Sequence, residues 1–222
     1  MYLPPAFRED RIEVLQGLVR EIGLATLVSA TPEGGVEITH LPLLLDPEPA
    51  PLGTLLGHLA RANPHVGALR QAREAVAIFL GPEAYVSPSF YPSKRTHGRV
   101  VPTWNYVAVH AIGTPELVED RAELLDLVRR LTDHHERGRA APWAVEDAPP
   151  DFVAAQLKGI VGLRLRLERI EGKLKLSQNR PVDDRAGVVR GLAASSDPGD
   201  LATAAAMRAL APPPPRPPAG GA

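Results

Sequence analysis

The stretch GPEAYVSPSFYPSKRTHGRVVPTWNY, residues 81–106, is the most distinctive part of this chain. It carries five aromatic side chains in a protein that is only 5% aromatic. Its prolines, Pro82, Pro88, Pro92 and Pro102, lack the backbone N–H that a sheet ladder needs, so we expect regular strand only in short pieces. The stretch therefore predicts a stiff loop with aromatic walls between two strands.

Two interpretations of this loop follow from the residues alone. In the first, the aromatic faces hold a planar ligand, because rigid loops at the mouth of a sheet commonly carry function. The polar contacts would then come from Ser87, Ser89, Lys94, Thr103 and Asn105. In the second, the stretch is a proline-rich turn whose aromatic side chains fill the base of the loop.

The composition limits the remaining possibilities. With 222 residues and a hydrophobic fraction of 44%, the chain can bury a substantial core. The absence of cysteine excludes disulfides, thiolate metal sites and thiol nucleophiles, so redox chemistry would require a bound organic cofactor or haem. The amino terminus does not resemble a secretion signal and no apolar run approaches bilayer length, so we expect a cytoplasmic protein that does not bind membranes.

Hydrophobic periodicity predicts about seven strands with helices between them. Residues 8–22 predict an amphipathic helix with Asp10 as its cap and Gly23 after its end, and residues 120–136 predict a second one capped by Asp120. Leu163, Leu165 and Leu167 alternate with charged residues, which indicates a strand with one buried face. Glu171-Gly172 is predicted to turn the chain back into a further strand. Without βαβ alternation, this pattern favours a small antiparallel barrel with peripheral helices.

A possible phosphate site follows the strand at residues 54–60. Asn63 can cap a helix that starts at Pro64, and the strand delivers His58 and Arg61 close to that helix amino terminus. Backbone amides and a guanidinium together can hold a phosphate. The alternative is that Arg61 is an ordinary solvated surface arginine.

Metal and hydrolase sites find no support in the sequence. His134 and His135 are adjacent on a predicted helix and point about 100° apart, so they cannot both bind one metal. His40, His58, His97 and His110 lack the spacing of metal-binding motifs, and no nucleophile elbow of the serine hydrolases is present. No metal is predicted, and no catalytic residue can be assigned.

The segment KLSQNR, residues 175–180, ends a predicted strand with a dense set of hydrogen-bond donors. On its own it is compatible with an ordinary polar strand end. However, GHLARANP, GPEAYVSPSFYPSK with VPTWNY, and KLSQNR follow one another in this order, and the combination resembles the PaiB-type family of FMN-binding split-barrel proteins. MYLPPAF and THLPLLL also resemble that family, and the resemblance covers most of residues 1–192.

The resemblance implies a mainly β fold with peripheral helices (α+β), an antiparallel split β-barrel of the FMN-binding type. It implies a homodimer, FMN as the cofactor, and the role of a negative transcriptional regulator, so DNA enters as a partner through the family alone. A flavin-dependent oxidoreductase with a nicotinamide reductant, or a haem-binding split barrel, remain alternatives. The cofactor-binding residues that we predict are Thr39, His40, His58, Arg61, Asn63, Ser87, Tyr91, Lys94, Thr103, Trp104, Asn105, Lys175, Gln178 and Arg180.

The predicted organisation has three parts. Residues 1–195 form the FMN-binding split-barrel domain with its peripheral helices. Residues 196–211 form an alanine-rich helical extension, and residues 212–222 a disordered proline-rich tail.

Overall fold

The computed structural model describes residues 1–210, so the predicted tail lies outside the described residues. Within them the chain forms eight strands and seven α-helices. The strands are β1 (Arg8–Glu9), β2 (Leu24–Ala30), β3 (Val36–Pro42), β4 (Leu44–Asp46), β5 (Thr54–Ala60), β6 (Ala75–Val86), β7 (Thr103–Val118) and β8 (Ile160–Lys175). The helices are α1 (Ile12–Ile22), α2 (His65–Leu69), α3 (Lys94–His97), α4 (Arg121–Glu136), α5 (Pro150–Lys158), α6 (Val182–Ala193) and α7 (Pro198–Ala209).

The strands belong to one sheet in the order β3-β2-β6-β7-β8-β5-β4, with β1 paired to β8. The pairs β2–β3, β2–β6, β4–β5 and β5–β8 are antiparallel. The order places β5 between β4 and the last strand, so the sheet is not a simple meander of sequential neighbours. This confirms the predicted mainly β class with helices outside the sheet.

The chain divides into two compact units. Unit 1 contains Met1, Glu9–Leu80 and Ala108–Gly172, and unit 2 contains Tyr2–Arg8, Gly81–Val107 and the residues from Lys173 onward. The core of unit 1 includes Leu15 and Val19 of α1 and Leu163, Leu165 and Leu167 of β8, all buried. The alternation in β8 thus buries one face as predicted. The single domain over residues 1–195 stays a prediction.

Capping residues account for the ends of the longer helices. Gly23 ends α1 with a positive φ of 67°, and the Asp120 carboxylate accepts from the amides of Ala122 and Glu123 at the start of α4. Both predictions are confirmed. The predicted Asp10 cap is wrong, because α1 begins at Ile12 with Arg11, one residue later, in the cap position.

The predicted turn at Glu171-Gly172 is also wrong, since β8 continues without a break to Lys175. A Cβ atom at residue 172 would overlap the Leu15 side chain of α1. Glycine is therefore needed for the strand to pass close to the helix and does not mark a turn. A sequence window around residue 172 contains no information about α1, which explains the error.

Gly113 and Pro115 both lie inside β7, which runs through them without a break. A Cβ atom at residue 113 would collide with the backbone oxygen of Arg166 in β8. Pro82 likewise lies inside β6, so proline interrupts the sheet less than predicted. Both strands are consequently long, with 12 residues in β6 and 16 in β7.

In unit 2 the loop between β6 and β7 contains a short 3-10 helix, Pro88–Phe90, followed by α3. The buried carboxylate of Asp184 in α6 accepts from the Ser93 backbone N–H at 3.0 Å and from its hydroxyl at 2.7 Å. This pair fixes the loop against α6. Among residues 1–210, none of the helices has the length and apolar character that a bilayer span requires.

Candidate functional site

In unit 1, the predicted contacts Thr39 and Asn63 come together around a histidine that the sequence did not single out. Nδ1 of His65 lies 2.9 Å from the Thr39 hydroxyl, and Nε2 lies 3.0 Å from the Ser29 hydroxyl. The Asn63 amide donates to the Thr39 hydroxyl at 3.1 Å, while its oxygen accepts from the His65 backbone N–H at 2.9 Å. His65 is fully buried, so Thr39, Asn63, His65 and Ser29 form a closed polar cluster that we call the His65 cluster.

The NPH sequence at residues 63–65 was the available signal for His65. It was interpreted only as a helix start, with Pro64 as the first residue. The helix begins at His65, and Asn63 does bond the first helical amide. Burial lowers the pKa of His65, while the charge of Glu37 acts in the opposite direction.

His40 is separated from Thr39, since consecutive strand residues point to opposite faces. Thr39 bonds His65, whereas the exposed His40 ring lies 3.0 Å from the hydroxyl of Thr26 on β2. Thr39 and His40 therefore lie on opposite faces of β3 and do not meet within unit 1.

His58 lies half-buried on β5. Its Nδ1 atom is buried and has no hydrogen-bond partner among the described residues. Burial lowers the pKa of this imidazole, so the neutral form is favoured. A neutral ring with an unpaired nitrogen can still accept or donate one hydrogen bond.

The Arg61 guanidinium is already engaged by protein atoms. It pairs with the Glu119 carboxylate at 2.9 Å and donates to the backbone oxygens of Lys158 and Ile160, both at 3.1 Å. Arg70 shares the same carboxylate at 2.8 Å. A guanidinium has five N–H donors, so these three bonds leave two for a ligand.

In unit 2, the aromatic loop exposes a pair of rings. Trp104 is 51% exposed and Tyr85 is 49% exposed, and their rings meet edge to face with centroids 6.3 Å apart. The hydroxyls of Ser87 and Ser89 lie 2.7 Å from each other near the start of the 3-10 helix. The loop thus offers aromatic surface together with small donors, while its buried Tyr91 ring fits the second interpretation, so both interpretations stay open.

Lys175 forms the centre of a second polar group, which we call the Lys175 cluster. Its ammonium donates to the Thr103 hydroxyl at 2.6 Å and to the backbone oxygen of Trp104. The group is half-buried, and burial together with the charges of Lys173 and Arg180 lowers its pKa. The structure therefore joins three predicted contacts, Thr103, Trp104 and Lys175.

Lys173 was missed because the selected motif, KLSQNR, begins two residues later at Lys175. Its ammonium lies 5.4 Å from the ring centroids of both Tyr2 and Tyr106 and donates to the Tyr2 backbone oxygen at 3.0 Å. Residues two apart on a strand share a face. The strand predicted after Gly172 therefore already placed Lys173 and Lys175 on one face, and the pair was available from the sequence.

Other predicted contacts use their polar groups inside the protein. Asn105 is 1% exposed and exchanges hydrogen bonds of 3.0 and 3.1 Å with Ser177, which has a positive φ of 65°. The Gln178 side chain accepts from the Leu176 backbone N–H at 2.7 Å and donates to the Leu174 oxygen. These residues shape the strand end.

Tyr91 and Arg180 form a further pair. The Arg180 guanidinium lies 4.9 Å from the centroid of the buried Tyr91 ring, a cation–π distance. The Tyr91 hydroxyl is buried without a partner among the described residues, and burial raises its pKa. Lys94 lies exposed on α3.

Within residues 1–210, no group of three or more acidic or histidine side chains could hold a metal ion. The donor set fits a flavin mononucleotide instead. Exposed aromatic faces suit a planar isoalloxazine, and lysine, arginine and hydroxyl donors suit a phosphate and ring oxygens.

Comparisons with known proteins agree with this chemistry. Residues 1–169 match the family described as "Putative FMN-binding domain". The chain is 34% identical to an uncharacterised protein of Aspergillus fumigatus, a match that covers 86% of this chain and 90% of that protein. It is 32% identical to the protease synthase and sporulation protein PAI 2 of Bacillus subtilis, with 89% of this chain and 92% of that protein covered.

A solved structure supports the fold. The FAD and haem binding protein of Mycobacterium smegmatis superposes with a TM-score of 0.57 at 19% identity, covering 81% of this chain and 78% of that one. This likeness confirms the predicted split-barrel fold. The chain belongs to the PaiB-type FMN-binding split-barrel family, and its cofactor is FMN.

Proposed function

We propose that the protein is a homodimeric flavoprotein in which the residues of the Lys175 cluster and the exposed Tyr85–Trp104 pair contact FMN. The observation that carries the proposal is the Lys175 ammonium, which is held by two acceptors and has no carboxylate partner among the described residues. A positive charge held in this way favours binding of a phosphate or of the carbonyl oxygens of a flavin ring.

Further contacts come from the remaining predicted residues. Lys94 and Arg180 of unit 2 would supply charge to the phosphate, and Ser87 and Thr103 would supply hydroxyl donors. Arg61 of unit 1 stays a predicted contact. Bound FMN supplies reversible electron transfer to the site. The role of the protein residues is to bind and orient the cofactor and to set the charge around it.

The experiment is a titration of the purified full chain with FMN. We expect quenching of flavin fluorescence that saturates, a bound flavin spectrum, and a higher melting temperature. Absence of both quenching and thermal stabilisation would contradict the proposal.

The proposed dimer is supported by an apolar outer face on β3, β2 and β6 of unit 1. Residues directly opposite in register share a face, which places Ile38 beside Val28 and Val28 beside Val76. Leu24, Val36, Ile38 and Leu80 are each more than half exposed. Exposed apolar surface of this kind marks an interaction site, and a second copy of the chain is the partner that we propose.

Ile38→Lys should therefore shift sedimentation from dimer to monomer. Phe152→Lys, which changes an equally exposed apolar residue on α5, is the matched control and should remain dimeric. If both variants sediment as wild type, the outer face of β3, β2 and β6 is not the interface.

Negative transcriptional regulation is the second part of the proposal, and the 32% identity to the Bacillus sporulation protein supports it. The net charge of −1 gives no general attraction to DNA, so binding would depend on a local basic surface. We expect a salt-dependent shift of DNA from the protein's own promoter. Failure to bind this DNA at low salt would contradict regulation of its own promoter by direct contact.

The purified full chain can also be used to test the two alternatives, a flavin-dependent oxidoreductase and a haem-binding split barrel. Anaerobic bleaching of the flavin by NADH or NADPH would establish a flavin-dependent oxidoreductase. The Mycobacterium smegmatis neighbour is a FAD and haem binding protein, so added haem is the second probe. A Soret band in place of flavin binding would establish a haem-binding split barrel.

A further inference from the structure

A cavity of about 520 Å³ lies between α6 and α7 in unit 2, outside the residues that match the family. Its lining includes four arginines, Arg180, Arg185, Arg190 and Arg208. The remaining lining is apolar and includes Val182, Val189 and Met207. We call this space the arginine cavity.

The charge of the arginine cavity is not balanced by the described residues that line it, since none of them is acidic. The ion pairs found within residues 1–210 also include none of its four arginines. Like charges that converge on one cavity repel each other, and a bound anion would remove that cost.

Arg185 supplies a second, independent observation. One of its terminal nitrogens donates to the backbone oxygens of Met207 and Leu210, at 2.6 and 3.0 Å, which fixes the guanidinium. Its Nε atom is buried and has no acceptor within the described residues. Because Nε is closed off from solvent, a ligand anion would pair with the terminal N–H groups of this fixed guanidinium, whose ordering is already complete.

The apolar part of the lining indicates that the ligand also has an apolar portion. Val182 is 82% exposed at the first position of α6, and Met207 is buried on α7. A volume of about 520 Å³ is in the range of small-molecule sites. An inorganic ion would leave these apolar side chains without contacts.

From this combination we propose that the arginine cavity binds a small amphipathic organic anion, a carboxylate with an apolar chain. The carboxylate would pair with the arginines, and the chain would cover Val182, Val189 and Met207. Arg180 is the residue that this cavity shares with the proposed FMN contacts. The proposal otherwise does not depend on the flavin.

The experiment is calorimetric titration of the full chain, saturated with FMN, with sodium octanoate. We expect saturable binding, at least tenfold tighter than that of octylammonium, which has the same chain and the opposite charge. Inorganic phosphate, which has charge without a chain, should also bind at least tenfold more weakly.

Arg190→Glu/Arg208→Glu should weaken octanoate binding at least tenfold, because two attractive charges become repulsive. Both side chains are exposed, so the fold should persist. Arg73→Glu/Arg137→Glu changes the net charge equally at exposed positions outside the cavity and should bind octanoate as wild type does.

Val182→Glu is the second variant, since an acidic residue in the first turn of a helix favours folding while it repels a carboxylate. It should also weaken octanoate binding. Absence of saturable binding, equal binding of octylammonium, or wild-type affinity in Val182→Glu would each overturn the proposal. The flavin spectrum of the same samples reports FMN binding separately.

Discussion

The His65 cluster in unit 1 and the Lys175 cluster in unit 2 use buried polarity in opposite ways. In the first, both ring nitrogens and the backbone N–H of a fully buried residue have protein partners. In the second, a half-buried ammonium has two oxygen partners, no counter-charge within the described residues, and two positive neighbours. A closed cluster stabilises the fold, whereas a cluster with an unbalanced charge is suited to an external ligand.

The largest effect is expected for His65→Ala. The substitution leaves the hydroxyls of Ser29 and Thr39 without their ring partners and opens a cavity, so unfolding should cost about 3 kcal/mol less. Urea unfolding measures this difference.

The control for this variant is His135→Ala, which removes an exposed ring from α4. Its effect on unfolding should stay within about 0.5 kcal/mol. If the two variants are equally stable, the His65 cluster does not stabilise the fold and the comparison fails.

Lys175→Met should affect FMN affinity more than stability, in contrast to His65→Ala. We expect the Kd for FMN to rise about tenfold, or about 1.4 kcal/mol, when the positive charge is removed. The free energy of unfolding without FMN should change by less than about 1 kcal/mol, because burial and the neighbouring charges already disfavour the charged form.

Arg137→Met removes one positive charge from the exposed end of α4 and serves as the control for flavin affinity. A loss of stability in Lys175→Met without a loss of FMN affinity would place this lysine among the structural residues.

The smallest effect concerns pH. Burial lowers the pKa of His65 below its value in the unfolded chain, about 6.5, so the unfolded state binds the proton more readily. The contribution of the neutral ring is therefore fully present above that pH and is lost as the pH falls through and below it.

Urea unfolding between pH 7.5 and 5.5 should show this decline in the wild type, with contributions from His58 and His110, whose pKa values burial also lowers. His65→Ala should show a shallower decline. Equal slopes for the two proteins would mean that His65 titrates alike in both states.

Local signals predicted those parts of the fold that depend on local causes. Gly23 and Asp120 end and begin helices through bonds to nearby residues, and the alternation around Leu165 depends on strand geometry alone. Gly172 was misread as part of a turn because its neighbour in space, Leu15, is distant in sequence.

The candidate side chains were selected by residue type, and their contacts with FMN stay a prediction. Lys175 with Thr103, and Asn63 with Thr39, were selected as candidates and do meet. The two faces occupied by Thr39 and His40 follow from strand alternation and were overlooked. His65 was missed because its hydrogen-bond partners depend on which strands pair. Strand pairing across dozens of residues is not encoded in any one motif.

The two hydrogen bonds between Ser93 and Asp184 make the aromatic loop depend on a residue beyond the family match. Matched residues end at 169, yet the carboxylate that anchors the aromatic loop comes from α6, fifteen positions later. A shortened protein that stopped at the boundary would keep every residue of the loop and lose its anchor. Engineering or expression of this flavoprotein should therefore treat α6 as part of the minimal folding unit.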